Sequence, residues 1–298
     1  MPFKKCGGLQ EMIDTDVHIH KEELLGFCLS KFKKVGDFMY KFVAIDLDGT
    51  LLNRDGNISE KNIQAIQKAQ NLGIHIVLAT GRYFMQTKRI IDQLDFKGIL
   101  VSNDGTATIN TANQALIGEY SFSVEDIASL IHYCRRHHIH FSLCTAFDVY
   151  VEWMEDVHEQ QYQVYEITPT LHLDVLTLQE KIMKCTIGDL NKVGGWQEIP
   201  LAIPERLRRR IDLEFHREYV HAQSNKTKAL IHLLDSLDIK QSEMMAIGDY
   251  YNDLDMIEFA GLGIAMGNAP DEIKAMANDV TLSNDEDGVF HAFSKYLF

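Results

Sequence analysis

The sequence predicts an α/β protein in which a parallel-sheet core is split by an inserted α/β cap. Three observations carry that prediction. In the first and last thirds, short and almost wholly apolar runs alternate with amphipathic helical stretches, the pattern of parallel strands buried on both faces. The middle third breaks this alternation with hairpin-like runs and much of the histidine and aromatic content. Acidic residues, hydroxyls and glycines stand directly after several apolar runs, and open parallel sheets bind ligands at the carboxyl ends of their strands.

Residues 1–38 stand apart. Their lysines are scattered, and one short apolar stretch around Leu24–Leu29 suffices for a turn or two of helix. They lack the apolar core and small-residue cleavage site of a signal peptide, and they contain acids but no arginine, unlike a mitochondrial transit peptide. We read them as a non-core extension ahead of Met39. Within it, His18-Ile19-His20 is a short motif that suits a metal only with further ligands on later strands, and we assign no site there.

The core is expected over 39–118 and 213–298. Lys41–Asp46 is an apolar run ending in an acid. Ser59 is placed to cap a helix carrying Ile63, Ile66, Ala69 and Leu72, and Gly73 to end it. Strand Ile74–Ala79, a helix over about 84–94 and strand Gly98–Ser102 follow. The cap is expected over 119–212. It starts with a helix after Ser123, with Ile127, Leu130, Ile131 and Cys134 on one face. The runs Ile139–Cys144 and Asp148–Trp153 are close enough for a hairpin. The core then resumes with a helix over about 226–237 and strand Met244–Ile247. A short helix from about 252, strand Leu262–Met266, a helix over about 270–277, strand Val280–Leu282 and a terminal helix from about 286 complete it.

Composition narrows the function. Among 298 residues, 46% are apolar and 24% charged, which supports a sizeable globular core and excludes disorder for the bulk of the chain. No uncharged run approaches the roughly 18 apolar residues of a membrane span. A net charge of −14 argues against a nucleic-acid backbone as partner, since such binders show a basic face. It leaves room for a small anionic substrate held by local cations. Cys6, Cys28, Cys134, Cys144 and Cys185 are odd in number and form no CxxC pair. That pattern reads as reduced thiols in a cytoplasmic protein.

Four clusters carry chemistry. In Asp46-Leu47-Asp48-Gly49-Thr50 the two acids share a face if the strand geometry persists, and adjacent carboxylates need a cation between them or a shared proton. Thr80-Gly81-Arg82 offers a hydroxyl and backbone N–H groups at a strand-to-helix turn, a seat for phosphate. Lys226, in Ser224-Asn225-Lys226-Thr227-Lys228, starts a helix and supplies a charge against a phosphoryl group. Gly248-Asp249-Tyr250-Tyr251-Asn252-Asp253 is an oxygen-rich loop of the kind that suits Mg²⁺. Alone, each reads as a turn, a solvated lysine or a helix cap. Together, in order and each at its expected place, they make a catalytic constellation for phosphoryl transfer.

At these residues the chain resembles the haloacid dehalogenase superfamily of phosphohydrolases, in its Cof-like branch. The resemblance covers about residues 40–298 and extends to Gly263-Ile264-Ala265-Met266-Gly267-Asn268-Ala269 and Glu286-Asp287-Gly288-Val289. It implies a Rossmann-like core with a cap between the second and third motifs. It implies Asp46 as nucleophile, forming an aspartyl-phosphate, and Asp48 as acid/base. Thr80, with the Gly81 backbone, and Lys226 would hold the phosphoryl oxygens. Asp46, the Asp48 backbone carbonyl and Asp249 would bind Mg²⁺. Asn252 would contact substrate phosphate, and Asp253 would support the metal or Lys226. Lys228 competes for the lysine role; Lys226 is preferred for its spacing before Ala229-Leu230. One departure stands out: where the branch usually has Asn-Gly-Ala, this chain reads Asn103-Asp104-Gly105-Thr106, which adds negative charge near the site.

The expected function is Mg²⁺-dependent hydrolysis of a small phosphate ester: a sugar phosphate, a nucleotide or a phosphorylated cofactor. A phosphomutase of the same fold and a non-catalytic phosphate-ligand sensor are the alternatives, and phosphate release against isomerisation or silent binding separates them. In the cap, His132, His137, His138 and His140 invite a metal reading, but His137-His138-Ile139-His140 is read as a helix end running into a strand. Tyr150, Trp153 and Glu155 are candidates to line the cleft.

Overall fold

The computed structural model describes residues 18–19, 39–188, 202–213 and 216–298. Cys6, Cys28, His20 and the apolar stretch around Leu24–Leu29 lie outside the described residues. Fifteen strands form two sheets among the described residues.

The larger sheet has the order β1-β6-β5-β4-β3-β2-β13-β14-β15. Its parallel heart is β4 (Ile99–Ser102), β3 (His75–Ala79), β2 (Phe42–Ile45), β13 (Met244–Gly248), β14 (Leu262–Ala265) and β15 (Asp279–Val280). Each of β2, β3, β4, β13 and β14 is buried along its whole length, which is why their sequences are continuous apolar runs rather than alternating ones. The pleat still sorts them. Val43, Ile45, Ile76, Leu78, Met245 and Ile247 pack on one face with helices α1 (Glu60–Asn71), α2 (Phe84–Leu94) and α8 (Gly288–Tyr296). Phe42, Ala44, Val77, Ala79, Met244 and Ala246 pack on the other with α5 (Lys226–Leu237) and α6 (Leu254–Phe259).

The capping expected at α1 is present: Asn62 N donates to Ser59 Oγ at 3.2 Å. The 84–94 and 226–237 helices fall on the expected residues. The helix expected from Ser123 begins as a 3₁₀ turn, Val124–Ile127, before α3 (Ala128–His137). The last short strand lies slightly earlier than expected, at Asp279–Val280.

The structure adds antiparallel strands β5 (Ala107–Asn110) and β6 (Ala115–Glu119), which double back from β4 and extend the sheet. The reversal is made by Asn103 and Asp104, both left-handed, followed by Gly105. Two residues of the front segment, β1 (His18–Ile19), pair with β6 at the edge, so these two belong to the core sheet and not to a detached extension.

The second sheet has the order β11-β12-β10-β7-β8-β9. It is built from β7 (Phe141–Cys144), β8 (Val149–Val151), β9 (Thr170–Leu171), β10 (Lys184–Gly188), β11 (Leu207–Leu213) and β12 (His216–His221). Its core joins Leu130, Ile131 and Cys134 of α3 to Phe141, Leu143, Cys185 and Tyr219 of the strands. The boundary expected at 212 is too early. β11 and β12 form a hairpin, and β12 pairs with β10 throughout, so this layer runs to His221. Cys134, Cys144 and Cys185 are free and buried. Among the described residues no helix is long and apolar enough to cross a membrane.

Candidate active site

The chain leaves β2 toward β3 on one side and returns on the other as β13. That reversal of strand order opens a crevice at the carboxyl end of β2. Asp46 follows β2 directly and is locked across the crevice by its N–H to Ile247 O at 3.0 Å. Gly49, with φ +76°, turns the chain so closely that a Cβ there would lie 2.3 Å from Asp249 Oδ2.

Lys226 is the first residue of α5 and is buried. The Asn225 cap, whose Oδ1 accepts from Lys228 N at 2.6 Å, sets the start of the helix. From there Lys226 Nζ reaches Asp46 Oδ1 at 2.6 Å and Asp253 Oδ1 at 2.7 Å. Lys228 points elsewhere and bonds Gln223, so of the two lysines Lys226 is the one in the crevice. Asp253 spends its other oxygen on Asp249 N and Tyr250 N, at 3.1 and 3.3 Å. Asp249 accepts from Thr50 Oγ1 at 3.1 Å and lies 3.4 Å from Asn268 Nδ2. Carboxylate oxygens of Asp46, Asp249 and Asp253 come within 4.8 Å of one another.

Packing acids together has an electrostatic consequence. Burial, then the charge of Asp253, holds the Asp46 carboxyl well above the usual range against the pull of Lys226. The same two causes push Asp249 up to about 6. Burial alone would lower the Lys226 ammonium, but Asp46 and Asp253 outweigh it and keep it charged. The set therefore favours a further cation. Hard carboxylate oxygens at this spacing fit Mg²⁺. The side chain of Asp48 is not among these three. It faces Arg82 in a two-point ion pair, Nε to Oδ2 at 2.8 Å and Nη2 to Oδ1 at 2.6 Å.

Thr80 is fully buried at the end of β3, where its Oγ1 accepts from Arg82 N at 3.1 Å and Gly81 continues the turn. Asn252 donates to Asp104 Oδ1 at 3.2 Å. Of the expected site residues, Asp46, Asp48, Gly81, Asp249 and Asn252 line one crevice, Lys226 and Asp253 are bonded behind Asp46, and Thr80 is buried beside Gly81; Asn252 is occupied by Asp104.

The second sheet roofs this crevice, leaving a cavity of about 590 Å³ between Asp46, Asp48 and Arg82 below and Lys184, Arg210 and Glu218 above. Lys184 Nζ lies 3.3 Å from Glu218 Oε1 and 4.0 Å from the centre of the Tyr83 ring. Burial would raise Glu218, but Lys184, His216 and Arg210 hold it well below the usual carboxylate range. Of the cap residues singled out in the sequence, His140 lines the cavity; burial, then neighbouring His158, lowers it to about 3. Tyr150, Trp153 and Glu155 do not line it. Tyr150 bonds Glu180, Trp153 stacks on His138 at 4.2 Å, and Glu155 precedes α4 (Asp156–Val164). The cap histidines form no metal-ligand group among the described residues.

Sequence reasoning gave no role to Arg82, Thr50, Asn268, Lys184, Arg210 or Glu218. Arg82 lay in plain sight beside Gly81. Arg210 was hidden in the run Arg208-Arg209-Arg210, where no period says which arginine turns inward.

Comparison with known proteins agrees with this geometry. Residues 43–293 match the family model of haloacid dehalogenase-like hydrolases. The chain is 33% identical over 284 residues to the 5-amino-6-(5-phospho-D-ribitylamino)uracil phosphatase YwtE of Bacillus subtilis (strain 168), covering 86% of this chain and 98% of the relative. It is 29% identical over 288 residues to Phosphatase YwpJ of the same organism, covering 86% and 100%. A crystal structure of a haloacid dehalogenase-like hydrolase from Bacteroides thetaiotaomicron superposes with a TM-score of 0.75 at 30% identity, covering 86% of this chain and 99% of that one. With its four motifs gathered in one crevice and its length spanned by such relatives, the chain belongs to the haloacid dehalogenase-like hydrolases, Cof-like branch, and is an enzyme of the phosphatase type.

Proposed function

We propose that the protein is a Mg²⁺-dependent phosphatase that hydrolyses a small phosphorylated metabolite through an aspartyl-phosphate on Asp46. The observation that carries this reading is the buried Asp46–Lys226–Asp253 arrangement beside Asp249, at the floor of the cavity that the second sheet roofs. Asp46, the Asp48 carbonyl and Asp249 would hold the ion, which when bound offsets the negative charge of the phosphoryl group. Asp253, with both oxygens engaged by Lys226 and backbone N–H groups, serves as the brace of this group.

The carboxylate of Asp46 attacks phosphorus and the bond from phosphorus to the ester oxygen breaks. Asp48 gives its proton to the departing alkoxide, then takes one from a water that attacks the same phosphorus. Inorganic phosphate leaves and Asp46 is restored. Lys226, Thr80 and the N–H groups after β3 face the phosphoryl oxygens, where charge is spread in the transition state. Arg82 closes both oxygens of Asp48 in the resting arrangement. A phosphoryl group competes for that guanidinium, and its arrival frees Asp48 for proton transfer. The roof of Lys184, Arg210 and Glu218 and the Tyr83 ring supports a polar, phosphorylated small molecule as substrate, in keeping with the substrate named for YwtE.

The test is phosphate release from p-nitrophenyl phosphate and a panel of sugar phosphates, nucleotides and phosphorylated cofactors. Release should require Mg²⁺, stop with EDTA and fall about 10³-fold or more in Asp46→Asn. Turnover that persists in that variant removes Asp46 as nucleophile.

A further inference from the structure

Arg210 belongs to the roof, but its guanidinium reaches the core below. The register of the β11–β12 hairpin steps from Arg209↔Tyr219 to Ile211↔Glu218, which makes Arg210 the extra residue of a β-bulge. Bulges beside active sites re-aim a side chain. Here the guanidinium crosses the cleft to pair with Asp104 of the core while keeping Glu218 of its own sheet. It lies against the phosphate seat: a Cβ added at Gly81 would be 3.3 Å from Arg210 Nη2 and 3.2 Å from Asp104 Oδ1.

Asp104 is equally fixed. Its N–H bonds Thr80 O at 2.9 Å, its Oδ1 accepts from Asn252, and its backbone is left-handed at φ 51°. The next residue, Gly105, packs so tightly that a Cβ would lie 2.1 Å from Asn225 O, directly ahead of Lys226. The carboxylate is therefore held beside the phosphate seat and cannot swing away from an arriving dianion. In the resting arrangement the nearby cations Lys226, Arg82 and Lys184 are paired with carboxylates other than Asp104: Lys226 with Asp46 and Asp253, Arg82 with Asp48, Lys184 with Glu218.

We propose that Arg210 is a positioning residue of the phosphate site: its bond to Asp104 docks the second sheet onto the Thr80-Gly81-Arg82 turn and neutralises a carboxylate that would otherwise repel the substrate. The proposal rests on the phosphatase reading for its catalytic consequence. The pair itself stands on geometry alone.

The test is a double-mutant cycle with p-nitrophenyl phosphate and Mg²⁺, read as KM and kcat separately. Arg210→Ala should raise KM about tenfold and lower kcat much less, because the Asp104 carboxylate loses its ion-pair partner and keeps only the Asn252 hydrogen bond. Asp104→Asn combined with Arg210→Ala should recover most of that KM, since the repelling charge is gone. A packing role for Arg210 predicts no such recovery. A second readout needs no turnover. Inorganic phosphate with Mg²⁺ should raise the melting temperature of the wild type, raise it less in Arg210→Ala, and recover most of the wild-type rise in the double variant. An active wild type whose Arg210→Ala defect is not relieved by Asp104→Asn overturns the proposal and leaves the phosphatase reading intact. A wild type that binds phosphate but hydrolyses nothing overturns the phosphatase reading, and the melting series then decides the pair.

Discussion

At Gly49 the backbone is left-handed and the space a Cβ would fill is held by the Asp249 carboxylate. Gly49→Ala must both strain φ and displace Asp249. We expect kcat/KM to fall about 100-fold, the scale of a small misplacement of a reacting group. Stability should drop by about 1–3 kcal/mol, read by thermal unfolding. Asp249 itself works against folding when no cation is bound. Its pKa is raised to about 6 by burial and Asp253, so the stability it contributes is present below about pH 4 and lost as pH rises through 6. Asp249→Asn should therefore stabilise the protein in EDTA at pH 8 by about 1 kcal/mol, allowing for the solvent around a half-buried group. On the proposed Mg²⁺ reading, the wild type should gain melting temperature with Mg²⁺ and Asp249→Asn should not. A variant no more stable than wild type in EDTA would show that Thr50 and Asn268 already satisfy the charge.

At the scale of the element, α5 shows how a helix cap aims a functional group. Asn225 fixes the first turn, and Lys226 is placed by it. Asn225→Ala should cost about 1 kcal/mol and lower kcat, whereas Lys226→Met should cost about 3–5 kcal/mol by leaving Asp46 and Asp253 buried without their cation. Denaturant unfolding of both variants separates the two. This helix was legible because Leu230, Leu233, Leu234 and Leu237 recur at helical spacing. The strands β2, β3, β4 and β13 were legible because burial on both faces demands unbroken apolar runs. Ala107–Asn110 and Ala115–Glu119 were not, since short edge pairs with threonine, asparagine and glycine carry no such run. β11 hid its strand behind three arginines, so the expected end of the cap fell inside it. The motif carboxylates and Lys226 could be read from order and spacing. The pairings of Arg82 with Asp48 and of Arg210 with Asp104 could not, because an ion pair between residues far apart in sequence leaves no period in the chain.

For the molecule as a whole, one source of acid sensitivity is expected away from the crevice, beside that of His140 in the cavity. Burial lowers His75, at the start of β3, to about 4 from an ordinary value of 6.5. The folded state keeps it neutral where the unfolded chain binds a proton. Its contribution is thus complete above about pH 6.5 and is lost as pH falls toward 4, up to about 3 kcal/mol in all. His75→Gln should flatten the dependence of unfolding free energy on pH across this interval. An unchanged slope would assign the effect to other groups.

The pairing of β2 with β13 joins residues about two hundred positions apart in sequence. During synthesis, Phe42–Ile45 leaves the ribosome long before Met244–Gly248 exists. Until then one side of an entirely apolar strand is an open template for any other extended chain. Such a distant contact also delays closure of the sheet. Chains stopped short of β13 should accumulate in aggregates or on chaperones, while full-length chains partition to the supernatant. The strand that leads into Asp46 is thus also the one most exposed to error before the protein is finished.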